Sequence, residues 1–144
     1  MITSASVYRL LSAVCRGYRG KGYKVSDGLR ALAAKLPGAV VLGDRDLPLD
    51  VVTLGSILHL TELSTGMEFD CRIVLPSQAD PSKRWISLFS LIGAAVFGER
   101  EGAVVTYRTL ERFRLITIDR VAQPEEKSSQ STTVPAAGSK ALRP

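Results

Sequence analysis

Three features of the sequence predict a small α+β protein: a short N-terminal helical hairpin, then an antiparallel sheet carrying one short helix. Apolar residues in the first third recur at helical spacing, and from Leu54 the repeat changes to the two-residue period of strands. Turns separate the later strands, with a single short helical stretch among them, which is the pattern of hairpin-connected strands. The chain has 144 residues, 45% of them hydrophobic, enough for one ordinary core and a small appendage.

The elements follow in order. Val7, Leu10, Leu11, Val14 and Cys15 share one helical face, which predicts a helix from about Ser4 to Arg16. Leu29, Leu32, Ala33 and Leu36 repeat the spacing, with Ser26 as N-cap and Pro37-Gly38 as the stop. Two apolar stripes joined by a short bend pack on each other as a hairpin. In the second part, Phe69, Cys71, Ile73 and Leu75 alternate with Glu68, Asp70 and Arg72. Ser64 to Gly66 turns this strand back onto "SILHL". Further strands are expected at "WISLF", "AVVTYRT" and "RFRLITIDRV", and Ser90 caps a short helix, "LIGAAVFG", that ends at Gly98. Beyond Val121 the sequence is aperiodic and rich in Ser, Thr, Pro and Ala, a composition expected to be disordered. The expected units are a hairpin arm at 1–43, a body at 44–122 and a tail at 123–144.

Charge is unevenly spread. Residues 1–43 carry seven Lys and Arg against one acid, 44–123 nine against eleven, and 124–144 three against two. The excess positive charge of +5 therefore belongs to the arm. It concentrates in "CRGYRGKGYK", Cys15 to Lys24, where Arg16, Arg19, Lys21 and Lys24 alternate with glycine and tyrosine. Two readings stand for this tip: a solvated glycine-rich bend, or a contact for phosphate or a protein partner, with Tyr18 and Tyr23 able to stack on bases or to close over the hairpin's own seam.

Several function classes find no support. No apolar run reaches membrane-spanning length and the N-terminus lacks the order of a secretory signal, so a cytoplasmic protein is expected. Cys15 and Cys71 read as buried apolar residues rather than a disulfide or metal pair. His59 has no Cys, second His or carboxylate at ligand spacing, and Asp44, Asp46 and Asp50 read as a solvated linker rather than a metal cluster. No Gly-x-x-x-x-Gly-Lys-Ser/Thr phosphate loop and no Gly-x-Ser-x-Gly elbow is present. No enzyme, metal or cofactor is expected.

Two motifs carry a resemblance. "LPLDVVTLGS", Leu47 to Ser56, and "ISLFSLIGAAVFGEREG", Ile86 to Gly102, resemble the C-terminal domain shared by Gre transcript-cleavage factors and the regulator of nucleoside diphosphate kinase, Rnk. Pro48, Asp50, Val51, Val52, Thr53 and Ser56 resemble the Rnk branch in particular; Leu54 and Gly55 depart from it, as do Leu91, where the family has proline, and Ala103, where it has aspartate. The resemblance implies an FKBP-like body with an N-terminal helical hairpin that docks at the secondary channel of bacterial RNA polymerase. It places the body's contact at Phe89, Ser90 and Leu91. Trp85, Phe89 and Phe97 stand where the proline groove of FKBP enzymes would be sought, although a core role fits them better. Gre hairpins present acidic residues at the tip, and stimulated RNA cleavage needs carboxylate oxygens for a second Mg²⁺. This tip is basic, with Asp27 alone nearby. The expected function is therefore non-catalytic transcription regulation through RNA polymerase. The rivals are direct nucleic-acid binding through Arg16, Arg19, Lys21 and Lys24, and an adaptor acting on nucleoside diphosphate kinase.

Overall fold

The first helix begins one turn into the chain, where the Ser4 hydroxyl accepts from the Val7 amide at 3.3 Å and a distant carboxylate adds a second cap. The computed structural model describes residues 1–19 and 26–124, apart from the side chains of Tyr18 and Arg19. Helix α1 runs Ala5–Arg19, longer than the sequence expectation at its C-terminal end. The Asp44 carboxylate accepts hydrogen bonds from the Ser6 amide and the Ser6 hydroxyl, satisfying an orphan donor of the first turn. These bonds hold the Asp44 carboxyl below the usual carboxylate range, the Ser6 hydroxyl contributing most.

Helix α2, Asp27–Lys35, starts at Ser26, whose hydroxyl accepts from the Leu29 amide at 3.1 Å, and it closes through a short 3₁₀ turn at Leu36–Gly38. Two strands escaped the sequence reading. β1, Ile2–Ser4, pairs in parallel with β2, Val40–Leu42. At three residues each, they are too short to show alternation.

The remaining strands form one sheet. β3 is Ile57–Glu62, β4 Met67–Val74, β5 Trp85–Ser87, β6 Val104–Arg108 and β7 Phe113–Ala122, in the spatial order β5-β4-β3-β7-β6. All neighbours are antiparallel except β4 and β5, which run parallel. Two successive 3₁₀ turns, at Pro76–Gln78 and Pro81–Lys83, bring the chain back for that parallel pairing. Helix α3, Leu91–Val96, connects β5 to β6. Among the described residues no helix is long and apolar enough to cross a membrane.

The inner face of the sheet presents Leu58, Leu60, Cys71, Ile73, Ile116 and Ile118. They share one buried cluster with Leu11 of α1, Leu29 and Leu32 of α2, and Ala94, Val96 and Phe97 of α3 and its end. The helices thus close over the sheet instead of standing apart from it. Burial pushes the Cys71 thiol up to about 12, so it is an apolar filler and not a nucleophile. Both cysteines are buried and unbridged.

Candidate functional site

The residues expected to face a partner lie in the loop that turns β5 into α3. Ser87 organises this loop: its hydroxyl accepts from the Phe89 amide at 2.9 Å, and its carbonyl accepts from the Ser90 amide at 2.9 Å and the Ser90 hydroxyl at 2.7 Å. The Ser90 hydroxyl in turn accepts from the Gly93 amide at 3.0 Å and caps α3. Leu91 therefore occupies the first helical position without proline's fixed φ, because the serine pair supplies the order. Phe89, Ser90 and Leu91 are each half-buried.

Helix α2 presses on this loop from the other side. Gly28 sits against the Phe89 carbonyl so closely that a β-carbon at position 28 would lie 1.9 Å from its oxygen. The Ser26 hydroxyl points at the same oxygen from 3.5 Å. Farther along α2, the Lys35 ammonium donates to the carbonyls of Ala94 at 3.1 Å, Ala95 at 3.2 Å and Phe97 at 2.9 Å, and pairs with Glu99 at 3.1 Å. A cation on those orphan carbonyls complements the C-terminal end of α3. Both ends of α2 are thereby fixed to α3 and its entry loop.

This packing puts the start of α2 beside the Phe89–Leu91 loop. Of the four tip cations, Arg16 is exposed near the end of α1. The Arg19 side chain, Lys21 and Lys24 lie outside the described residues, as does Tyr23. Asp27 is exposed in the first turn of α2. It lines a groove of about 880 Å³ between α2, α3 and the β6–β7 hairpin, together with Lys35, Leu91, Glu99, Tyr107 and Phe113. Neither Trp85, Phe89 nor Phe97 lines it. Phe97 is fully buried core, whereas Trp85 and Phe89 are half-buried.

One cluster is assembled by register alone. His59 faces Asp70 across the β3–β4 pair, with Nδ1 at 2.6 Å from its carboxylate and Nε2 at 2.8 Å from Glu68. A register shift in β7 after Ile118 leaves Asp119 unpaired in the ladder, its carboxylate 4.0 Å from Nε2 and bonded to the Thr61 hydroxyl. Asp70 first, then Glu68, raises the His59 pKa above its ordinary value. Sequence spacing hides this group, although folding the hairpin about Ser64–Gly66 would have placed His59 opposite Asp70. Among the described residues no group of three or more His, Cys, Asp and Glu side chains is arranged to hold a metal ion.

The family model described as transcription elongation factor, GreA/GreB, C-term matches residues 47–122. Transcription elongation factor GreA of Alkaliphilus oremlandii is 33% identical over 82 residues, covering 57% of this chain and 52% of that protein. GreA of Thermoanaerobacter pseudethanolicus is 35% identical over the same length, again 57% of this chain and 52% of that one. The chain spans about half the length of these curated relatives. A solved structure of a prokaryotic transcription elongation factor GreA/GreB from Nitrosomonas europaea aligns with TM-score 0.66 and 23% identity, over 85% of this chain and 97% of that chain. That likeness shows the fold. The finer resemblance to the Rnk branch is not carried by these matches.

Proposed function

Because the chain belongs to the transcription elongation factor GreA/GreB C-terminal family, we propose that it binds bacterial RNA polymerase near the secondary channel and regulates transcription there without stimulating transcript cleavage. The observation that carries this reading is the clamp of α2 on the Phe89–Leu91 loop through Gly28 and Lys35. It makes one surface of the loop and the start of α2, so a partner seated on the loop also meets the first turn of that helix. The non-catalytic part rests on sequence: from Arg16 to Ser26 there is no carboxylate, and a hard Mg²⁺ ion held for cleavage needs carboxylate oxygens. The Rnk-like character of Pro48 to Ser56 agrees with such a role.

Native gels with bacterial core polymerase test the proposal. The full chain is expected to shift the polymerase, and Leu91→Asp, an acid at a first-turn position that tolerates it, is expected to weaken binding about tenfold or more. Stalled elongation complexes should release no additional cleaved RNA when the chain is added. Absence of a shift at micromolar protein and moderate salt removes the polymerase reading, while accelerated cleavage removes its non-catalytic half.

A further inference from the structure

The two edges of the five-stranded sheet are finished differently. On the β5 side, Trp85 exchanges backbone hydrogen bonds with Asp80, at 2.9 and 3.1 Å, so the turn before the strand covers its outer rim. Strand β5 is only three residues long, with the exposed cations Lys83 and Arg84 just before it. Short length, charge and a covering loop all keep an edge from pairing with another chain. At the other edge β6 has five residues, and among the described residues no strand lies beyond it.

The hydrogen-bond register shows what the open edge offers. The Leu115 carbonyl of β7 accepts from the Leu63 amide at 2.9 Å, so alternate residues 113, 115 and 117 turn their polar groups toward β3. Ile118 turns the other way: its amide donates to the Ala103 carbonyl at 2.9 Å, and its carbonyl accepts from the Gly102 amide at 2.6 Å. With Val105 opposite Ile116 and Tyr107 opposite Arg114, those two residues of β6 bond to β7. Val104, Thr106 and Arg108 therefore direct three amides and three carbonyls away from the sheet. Their side chains are exposed on the outer face, beside the exposed Leu115 and Phe113.

We propose that the outer edge of β6 pairs with β6 of a second copy of this chain, antiparallel about a two-fold axis at Thr106. That register is self-complementary: Thr106 exchanges both of its hydrogen bonds with Thr106 of the second copy, and Val104 does so with Arg108 on either side. All the outward amides and carbonyls of both strands are then satisfied, and threonine opposite threonine is a favourable cross-strand pair. Val104 of each copy lies on the aliphatic stem of the other's Arg108, whose guanidinium already stands 5.6 Å from the Phe113 ring. The outer apolar stripe thus runs on into the second copy. Charge permits the pairing, because Arg108 is the one ionised side chain of β6. At roughly 3.3 Å per residue the two Arg108 positions stand about 13 Å apart, beyond the ~8 Å screening length. On the inner side, the groove beside β6 is lined by the small side chains of Ala31, Ala34, Ala94 and Ala95, which leave room for Val105 and Tyr107 of the incoming strand.

Sedimentation equilibrium of the full chain across the micromolar range tests the pairing. The average mass is expected to rise with concentration from one chain toward two. Position 106 meets itself across the axis, so Thr106→Lys and Thr106→Glu each set like charges opposite one another and are expected to weaken association about tenfold. Mixed in equal amounts, the two variants set Lys against Glu and should recover the dimer. Thr106 is exposed, and thermal melting confirms that each variant is folded. A parent that stays a single chain throughout overturns the proposal and leaves the edge to a strand of another protein. Variants that associate as the parent does place the contact elsewhere and overturn it as well. A mixture that fails to recover the dimer removes the axis at Thr106 and the proposal with it. The measurement reads mass alone, so its outcome is independent of polymerase binding.

Discussion

At the scale of single residues, His59 shows how a side chain that spacing presents as isolated becomes part of a charge cluster. Asp70 and Glu68 hold its ring and favour the imidazolium, so its folded pKa lies above the ordinary 6.5. The stabilisation this adds is fully present below about pH 6.5 and is lost as pH rises through the raised folded value. The ring is partly exposed, so the contribution is small and is screened by salt. The expected outcome is a melting temperature difference between the native chain and His59→Asn that shrinks as pH climbs above neutrality, and shrinks again at high salt; a difference that is flat with pH would remove the ion-pair account. Caps can be read from the sequence, as Ser26 and Ser90 were, because their bonds close within three residues. Asp44 cannot be read as a cap, since the amide it satisfies lies 38 residues away. His59 falls between these cases, legible once a hairpin register is chosen and illegible from spacing alone.

At the scale of elements, helices and long strands were legible because their periodicity repeats, whereas β1, β2 and the parallel pairing of β5 were not. Those pieces exist through partners supplied elsewhere: the Ile2 amide donates to the Gly98 carbonyl at 2.9 Å, and the Val40 amide to the Met1 carbonyl at 2.9 Å. The same principle explains the candidate site. The sequence named Phe89, Ser90 and Leu91 through resemblance, but the seat that fixes them is a glycine in another helix. Gly28 has ordinary helical geometry and is required for closeness, since its neighbours at position 28 are the Phe89 carbonyl and the Ser90 backbone. Gly28→Ala raises helix propensity and would stabilise an isolated α2. Here the methyl group meets backbone that cannot rotate aside, and overpacking of this kind costs about 2–3 kcal/mol. Urea denaturation is expected to show that loss, and native gels a weaker polymerase shift; a variant as stable as the parent would mean that α2 and the loop are not clamped.

At the scale of the whole molecule, the sequence suggests an arm and a body, while the packing joins the described parts of both through one core. Leu11, Leu29 and Leu32 lie in the same buried cluster as Leu60, Ile73 and Ile118, so the helices have no separate interior of their own to melt around. Charge asymmetry and sequence period describe what each segment presents to water; they carry no information about which apolar stripes meet. That information is in the shapes of the meeting surfaces, which only the fold supplies. One consequence can be measured with probes at opposite ends of the structure. Far-ultraviolet circular dichroism reports chiefly on α1 and α2, and Trp85 emission reports on β5 at the sheet's edge. If the core is shared, both signals follow one transition. Leu32 is fully buried, so Leu32→Ala should cost about 3 kcal/mol and lower both midpoints together by roughly 10 °C. A helical signal that melts early while Trp85 emission keeps the parent midpoint would show instead that the helices unfold as an independent arm, and the clamp of α2 on the Phe89–Leu91 loop would fall with that result.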